Sequence, residues 1–228
     1  MLDVKFALKR MARNALAPLL YRYPPFTLAP ERLYLFMHTL IETRGIPGAV
    51  VEVGCNLGGT AIIARKMLRR LGMDKQYICV DTFDGFTEAQ FAADTARGTP
   101  AHDRTLFSGN SRALVGKIMD QHGCDDVTLI EGDVAGVPDA DLPDSCSVVL
   151  LDVDLTEPTL AALRRFWPRL AAGGVLLVDD CGEHSSWKAR IAYTRFCEAE
   201  GLSPSFRYGM GLLVKPDHAA GCRTPLPT

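Results

Sequence analysis

The runs Val148-Val149-Leu150-Leu151-Asp152-Val153-Asp154 and Gly174-Val175-Leu176-Leu177-Val178-Asp179-Asp180 narrow the possible folds more than anything else in the chain. Each is apolar at successive positions rather than at alternate ones. A strand of that kind must be covered on both faces, as parallel strands between helix layers are. Each run also stops abruptly at acids. If the two strands are neighbours, Asp152, Asp154, Asp179 and Asp180 gather at the carboxyl edge of the sheet, where open α/β sheets bind ligands. Carboxylates brought together away from water repel and are costly unless something positive neutralises them. No Lys or Arg stands next to these acids in the sequence, so the pattern asks for a divalent cation.

The rest of the chain alternates strand and helix patterns. Strands are expected at 49–54, 77–81, 127–131, 147–152 and 174–179, and helices at 27–43, 59–70, 111–122, 158–170 and 185–200. Residues 205–208 and 211–215 read as a closing hairpin around Gly209 and Met210. Residues 85–110 are polar and lack a clear period, which makes them a candidate active-site loop or lid. The expected fold is α/β, a doubly wound, mostly parallel seven-stranded sheet with an antiparallel terminal hairpin. That ending is the habit of the class I methyltransferase form of the Rossmann-like architecture, whereas nicotinamide-binding sheets usually continue parallel. Residues 1–45 are expected to form an N-terminal helical extension, a cap or dimer contact. Residues 46–216 would be the main domain and 217–228 a loose tail.

Composition bounds the partners. The 228 residues are 47% hydrophobic and 23% charged, ordinary for one globular domain. A formal net charge of −2 offers nucleic acid no electrostatic footing. Seven cysteines lie scattered without a CxxC pair, so reduced thiols in a cytoplasmic protein are expected rather than zinc or disulfides. The first residues carry Lys5, Lys9, Arg10 and Arg13 among Leu2, Phe6, Leu8, Leu16, Leu19 and Leu20. No uninterrupted apolar stretch follows, so neither a signal peptide nor a transmembrane segment is expected. The segment reads as a basic amphipathic helix. It would pack on its own domain or on a second subunit of a homo-oligomer, with peripheral membrane contact as the alternative.

The first strand runs into Glu52-Val53-Gly54-Cys55-Asn56-Leu57-Gly58-Gly59-Thr60. Gly54 would let backbone approach a ligand closely, and Gly58 and Gly59 would let the next helix start against it. The spacing is not the GxGxxG that cradles a pyrophosphate. A ligand with a ribose but no pyrophosphate fits better, and S-adenosylmethionine is the candidate. Glu52 would face its α-amino group, and Thr60 with the helix amides its carboxylate. The alternative is a structural glycine turn. Asp81 ends the second strand and would accept both ribose hydroxyls, or else cap the following turn. Gly132 and Asp133 end the third, where Asp133 would accept from an exocyclic amine of adenine.

At the acidic edge, Asp152, Asp179 and Asp180 offer hard oxygen donors suited to Mg²⁺. Asp154 is the candidate base, or alternatively the cap of the helix that follows. His184 would touch an acceptor or assist as a second base, or simply start a helix; Trp187 would pack beneath the site.

Taken together, Ile46-Pro47-Gly48-Ala49-Val50-Val51-Glu52-Val53-Gly54 with Gly58-Gly59, Asp81-Thr82-Phe83-Asp84-Gly85-Phe86 and Leu151-Asp152-Val153-Asp154-Leu155-Thr156-Glu157-Pro158-Thr159 resemble the macrocin O-methyltransferase family. Trp167-Pro168-Arg169-Leu170, Gly173-Gly174 through Val178-Asp179-Asp180, and the upstream Pro30-Glu31-Arg32-Leu33-Tyr34 match as well. The resemblance implies a Mg²⁺- and S-adenosylmethionine-dependent O-methyltransferase whose relatives methylate deoxysugar hydroxyls on antibiotics. It implies Asp152, Asp179 and Asp180 as metal ligands and Asp154 as base. Glu52, Gly54 and Asp81 would hold the cofactor, with Gly58, Thr60, Thr82, Phe83, Gly132 and Asp133 completing its shell. Val153, Thr156, Pro158 and Cys181 depart from the family's usual residues on the acceptor side, so the chemistry carries over better than the substrate. The acceptor is expected to be a sugar hydroxyl of a natural-product glycoside or cell-surface glycan. A catechol-type small molecule is the alternative enzyme reading, and a non-catalytic cofactor-binding subunit of a glycan-assembly complex the alternative of another class.

Overall fold

The computed structural model describes residues 2–216; the tail expected at 217–228 lies outside them. The elements run α1 (Leu2–Leu20), α2 (Pro30–Glu42), β1 (Ala49–Val53), α3 (Gly59–Arg70), β2 (Tyr77–Asp81), α4 (Glu88–Thr95), α5 (Arg112–Gln121), β3 (Thr128–Glu131), β4 (Cys146–Leu151), α6 (Thr156–Phe166), β5 (Leu170–Val178), α7 (Ala189–Glu200), β6 (Ser205–Arg207) and β7 (Met210–Val214).

The sheet order is β3-β2-β1-β4-β5-β7-β6. The first five strands pair in parallel, and β7 runs antiparallel between β5 and β6. The chain winds outward from β1 to β3 and then returns to start the other half at β4. The crevice between β1 and β4 is therefore the topological switch point. Register does the rest. Val53 sits opposite both Val80 and Leu151, and Leu151 opposite Val178. The residues that follow these four strand positions are Gly54, Asp81, Asp152 and Asp179, so all four emerge in one row.

Successive strand residues serve opposite layers. Val148 and Leu150 join α2, α3 and α5 through Phe36, Leu40, Ile62, Leu68 and Ile118. Val149 and Leu151 join α6 and α7 through Leu163, Phe166, Tyr193 and Phe196. Both faces are dry, which is why these strands are apolar at every position. The six described cysteines are buried free thiols.

Several boundaries move for local reasons. The helix expected at 27–43 starts at Pro30, which occupies its first turn without needing an N–H partner. The one expected at 158–170 is Thr156–Phe166, and Leu170 already belongs to β5. The helix expected at 185–200 starts at Ala189. The stretch 85–110 is not a bare loop: it contains α4 and a 3-10 turn at Ala101–Thr105. Only Phe91 and Asp94 of α4 are buried, too few to print a helical period on the sequence. α1 lies on α5 and on the end of that stretch, where Arg13 donates to Asn110 Oδ1 (2.6 Å) and Lys9 to the Ser108 carbonyl. Among the described residues, no helix is long and apolar enough to cross a membrane.

Candidate active site

A cavity of about 380 Å³ opens over the switch point. Its floor is the row of strand ends. A Cβ at Gly54 would overlap the Asp152 carbonyl, so β1 and β4 can close on one another at the edge only with glycine there. Gly58 and Gly59 stand tight against other parts of the chain. A Cβ on Gly58 would meet Met119 of α5, and one on Gly59 the backbone of Pro25 and Phe26. At both positions the missing side chain leaves room for neighbouring protein.

On one side, Asp81 accepts the N–H of Asn56 (2.8 Å) and that of Phe83 (2.7 Å), one on each carboxylate oxygen. Burial pushes the Asp81 carboxyl above its ordinary value, and the amides of Phe83, Asn56 and Cys55, with the Cys55 thiol, oppose that. Asp133 accepts from Gln90 of α4 (2.7 Å), so that helix is tied to the position expected to meet adenine.

On the other side, carboxylate oxygens of Asp152, Asp154 and Asp180 lie within 4.8 Å of one another, with Asp154 buried and the other two half-buried. Burial, then the charges of Asp179 and Asp180, push the Asp152 carboxyl well above the usual range. Burial and Asp152 do the same to Asp154. Asp179 rises to about 6, again through burial first and Asp180 second, with Arg32 opposing. Asp154 and Asp180 are held at φ of 61° and 55°, in the left-handed region that non-glycine residues rarely occupy. Strained backbone of this kind clusters at functional sites.

The expectation that these acids have no basic neighbour is corrected by the fold. Arg32, in the first turn of α2, donates from one Nη to Asp179 (2.7 Å) and Asp180 (3.1 Å). The alternative role of Asp154 as a helix cap is also settled. The cap position of α6 is Leu155, with no side-chain bond of its own. The Thr156 N–H donates instead to Asp94 of α4 (2.6 Å), a buried carboxylate that also pairs with Arg97. Asp94 caps α6 from another element, and Asp154 is left free to face the cavity.

Of the residues singled out from sequence, Gly54, Asp81, Thr82, Gly132, Asp133, Asp152, Asp154, Asp179 and Asp180 line this cavity. Glu52 does not. It is buried beneath the floor, accepts from the Tyr77 hydroxyl (2.6 Å), and burial pushes it up to about 8. Phe83 packs into the core, Thr60 is buried in the first turn of α3, and Gly58 faces Met119. His184 is exposed in the turn after β5, away from the cavity lining. Arg32 and Asn56, which lie inside quoted motifs but were assigned no role there, and Gln90 and Asn110, which lie in no motif, also line the cavity. Sequence reasoning missed an aromatic wall. Phe86, Phe107 and Trp187 line the cavity with ring centroids 5.4–6.4 Å apart. Trp187 lines the cavity wall rather than packing beneath it.

Strand order, switch point and acid-edged crevice together define the class I methyltransferase fold. The solved O-methyltransferase NovP superposes with a TM-score of 0.70 at 21% identity, covering 82% of this chain and 80% of that one. The calicheamicin methyltransferase CalS11 superposes with a TM-score of 0.66 at 20% identity, covering 94% and 93%. At these identities the likeness concerns the fold. The chain belongs to the Macrocin-O-methyltransferase (TylF) family, whose family model matches residues 31–207. Among curated relatives, the 8-demethyl-8-(2,3-dimethoxy-alpha-L-rhamnosyl)-tetracenomycin-C 4'-O-methyltransferase of Streptomyces olivaceus is 31% identical over 146 residues, 60% of this chain and 54% of that protein. The mycinamicin III 3''-O-methyltransferase of Micromonospora griseorubida is 27% identical over 60% of this chain and 56% of that protein. The matched region thus spans about half the length of these relatives.

Proposed function

We propose that the chain is an S-adenosylmethionine-dependent O-methyltransferase that methylates a sugar hydroxyl of a natural-product glycoside or cell-surface glycan, with a divalent cation, Mg²⁺, at its acidic edge. The observation that carries this reading is the shared cavity. Gly54 and Asp81 stand on one side of the switch point, and Asp152, Asp154 and Asp180 on the other. Family membership and the sugar O-methyltransferases among its relatives support the reaction class.

The residues suit both groups. The hard carboxylates of Asp152 and Asp180, clustered at the cavity edge, fit a divalent cation, and the Asp81 carboxylate lining the same cavity fits the ribose of a nucleoside-bearing donor. The donor would supply the methyl group, and the cation would lower the pKa of an acceptor hydroxyl. Asp152 and Asp180, with Asp179, would hold the cation. The Asp154 carboxylate, freed from capping by Asp94, would take the hydroxyl proton. Asp81 would orient the donor ribose, with Asn56 and Gln90 fixing the carboxylates around it. The segment carrying α4 would close over the cavity and exclude water. Residues 1–45 would act as the extension beside this catalytic domain of residues 46–216. The exposed apolar face of α1, with Val4, Leu8, Met11 and Leu19, supports contact with a second copy. Buried free thiols support a reducing, cytoplasmic setting.

A second reading is favoured by the aromatic wall. Phe86, Phe107 and Trp187 would also suit a flat catechol-type acceptor. Transfer of labelled methyl from S-adenosylmethionine to panels of glycosides and catechols decides between them. Transfer to glycosides, abolished by EDTA and restored by Mg²⁺, is the expected result. Transfer to catechols alone would replace it with the second reading. Donor binding without transfer to either would point to a non-catalytic subunit.

A further inference from the structure

We propose that Arg32 is the resident counter-ion of the acidic edge, and that its guanidinium and a divalent cation exclude one another there. The inference rests on the cation reading of the site.

Arg32 is placed as a point cation would be. One Nη lies between two carboxylates, 2.7 Å from Asp179 and 3.1 Å from Asp180. This is not the fork-to-fork pairing that makes an arginine–carboxylate bridge a durable structural clamp. Its Nε is buried and, among the described residues, has no hydrogen-bond partner. The side chain is therefore held by the two acids alone. One of them is also in the carboxylate cluster a metal would claim: Asp180 belongs to the group with Asp152 and Asp154. A divalent ion at that edge would bring its charge close to the guanidinium and repel it.

The surroundings permit exchange. The Arg32 side chain is 21% exposed and lines the cavity, so it has a path outward. On its other side lies the β6–β7 turn, where a Cβ on Gly209 would come within 3.2 Å of the guanidinium. The Arg32 hydrogen bonds thus tether α2 to the end of β5. Metal loading would break that tether and release Asp179 and Asp180 to the ion. Cation binding and the position of α2 are two sides of one equilibrium.

Mn²⁺ titration of the full chain, without donor or acceptor, tests this by calorimetry or by the free-ion paramagnetic signal. Arg32→Gln should bind Mn²⁺ about tenfold more tightly than the wild type, a normal size for a coupling of this kind. Arg32→Lys, which keeps the charge, should stay near the wild type. Metal-free Arg32→Gln should melt a few degrees below the wild type, and the gap should close at saturating Mn²⁺. Unchanged or weaker binding by Arg32→Gln would overturn the proposal, as would a melting gap that persists with metal. If Mn²⁺ binds the wild type in a manner sensitive to Asp152→Ala, such a result removes only the counter-ion role. If Mn²⁺ binds neither protein, the cation reading of the site falls as well.

Discussion

Asp154 carries the greatest functional weight of any single side chain. It is buried, held at positive φ, and not used to cap α6. As the proposed general base, Asp154→Asn should lower methyl transfer by ~10²–10⁴-fold. The affinity for S-adenosylmethionine, measured by calorimetry, should be unchanged. Glu52 makes the opposite case, a motif acid with a structural life. Burial holds it at about 8, opposed by the Tyr77 hydroxyl. Unfolded, it ionises near the ordinary carboxylate value. Between those two pH values the unfolded chain binds fewer protons than the folded one, so stability falls as pH rises. Glu52→Gln keeps an acceptor for Tyr77 and removes that penalty. Its melting temperature should exceed the wild type's near ~pH 8 and decline less between ~pH 5 and ~pH 8. A parallel decline in both proteins would show that Glu52 is not held protonated.

α4 and α6 are joined more tightly than their distance in the chain suggests. Asp94 takes the Thr156 N–H, Thr99 donates to the Ser186 carbonyl, and the Lys188 N–H reaches the Asp154 carbonyl. The segment carrying α4, the start of α6 and the loop after β5 form one connected unit around the proposed base. Asp94→Ala should cost a cap of ~1 kcal/mol, roughly 2–4 °C in melting temperature for a chain of this size. Asp94→Asn, which keeps an acceptor oxygen, should recover most of it in the same thermal scan. The aromatic wall belongs to this unit as well, since Phe86 and Phe107 come from the segment carrying α4 and Trp187 from the loop after β5. Aromatic contacts worth ~0.5–1.5 kcal/mol imply that Phe107→Ala raises the acceptor KM roughly two- to tenfold. Donor affinity should not move, and equal loss of both would place the wall on the donor side. This unit explains why a helix was missed in residues 85–110. Its order comes from contacts with other elements, not from an apolar stripe of its own.

For the molecule as a whole, the half of the cavity proposed to hold the donor should be linked to global stability. S-adenosylhomocysteine at a hundred times its Kd should stabilise the fold by ~2.7 kcal/mol, which thermal melting would read as a rise of several degrees. An unchanged melting temperature would leave the cavity without a nucleoside ligand. What the sequence determined by itself is considerable. Unbroken apolar runs dictated parallel strands buried on both faces, and their strand-end acids foretold the row that includes Asp81, Asp152 and Asp179. These are local properties: period, turn residues and strand ends are written in neighbouring positions and need no partner to be read. The partners of those acids were decided only by tertiary structure. Arg32 reaches Asp179 across 147 positions, Gln90 reaches Asp133 across 43, and Asp94 reaches Thr156 across 62. Nothing in the local pattern of Arg32 or Asp94 sets them apart from any helical arginine or aspartate. The topology alone carries α2 and α4 to the carboxyl edge, and the cost of burying unpaired charge there selects which side chains must meet.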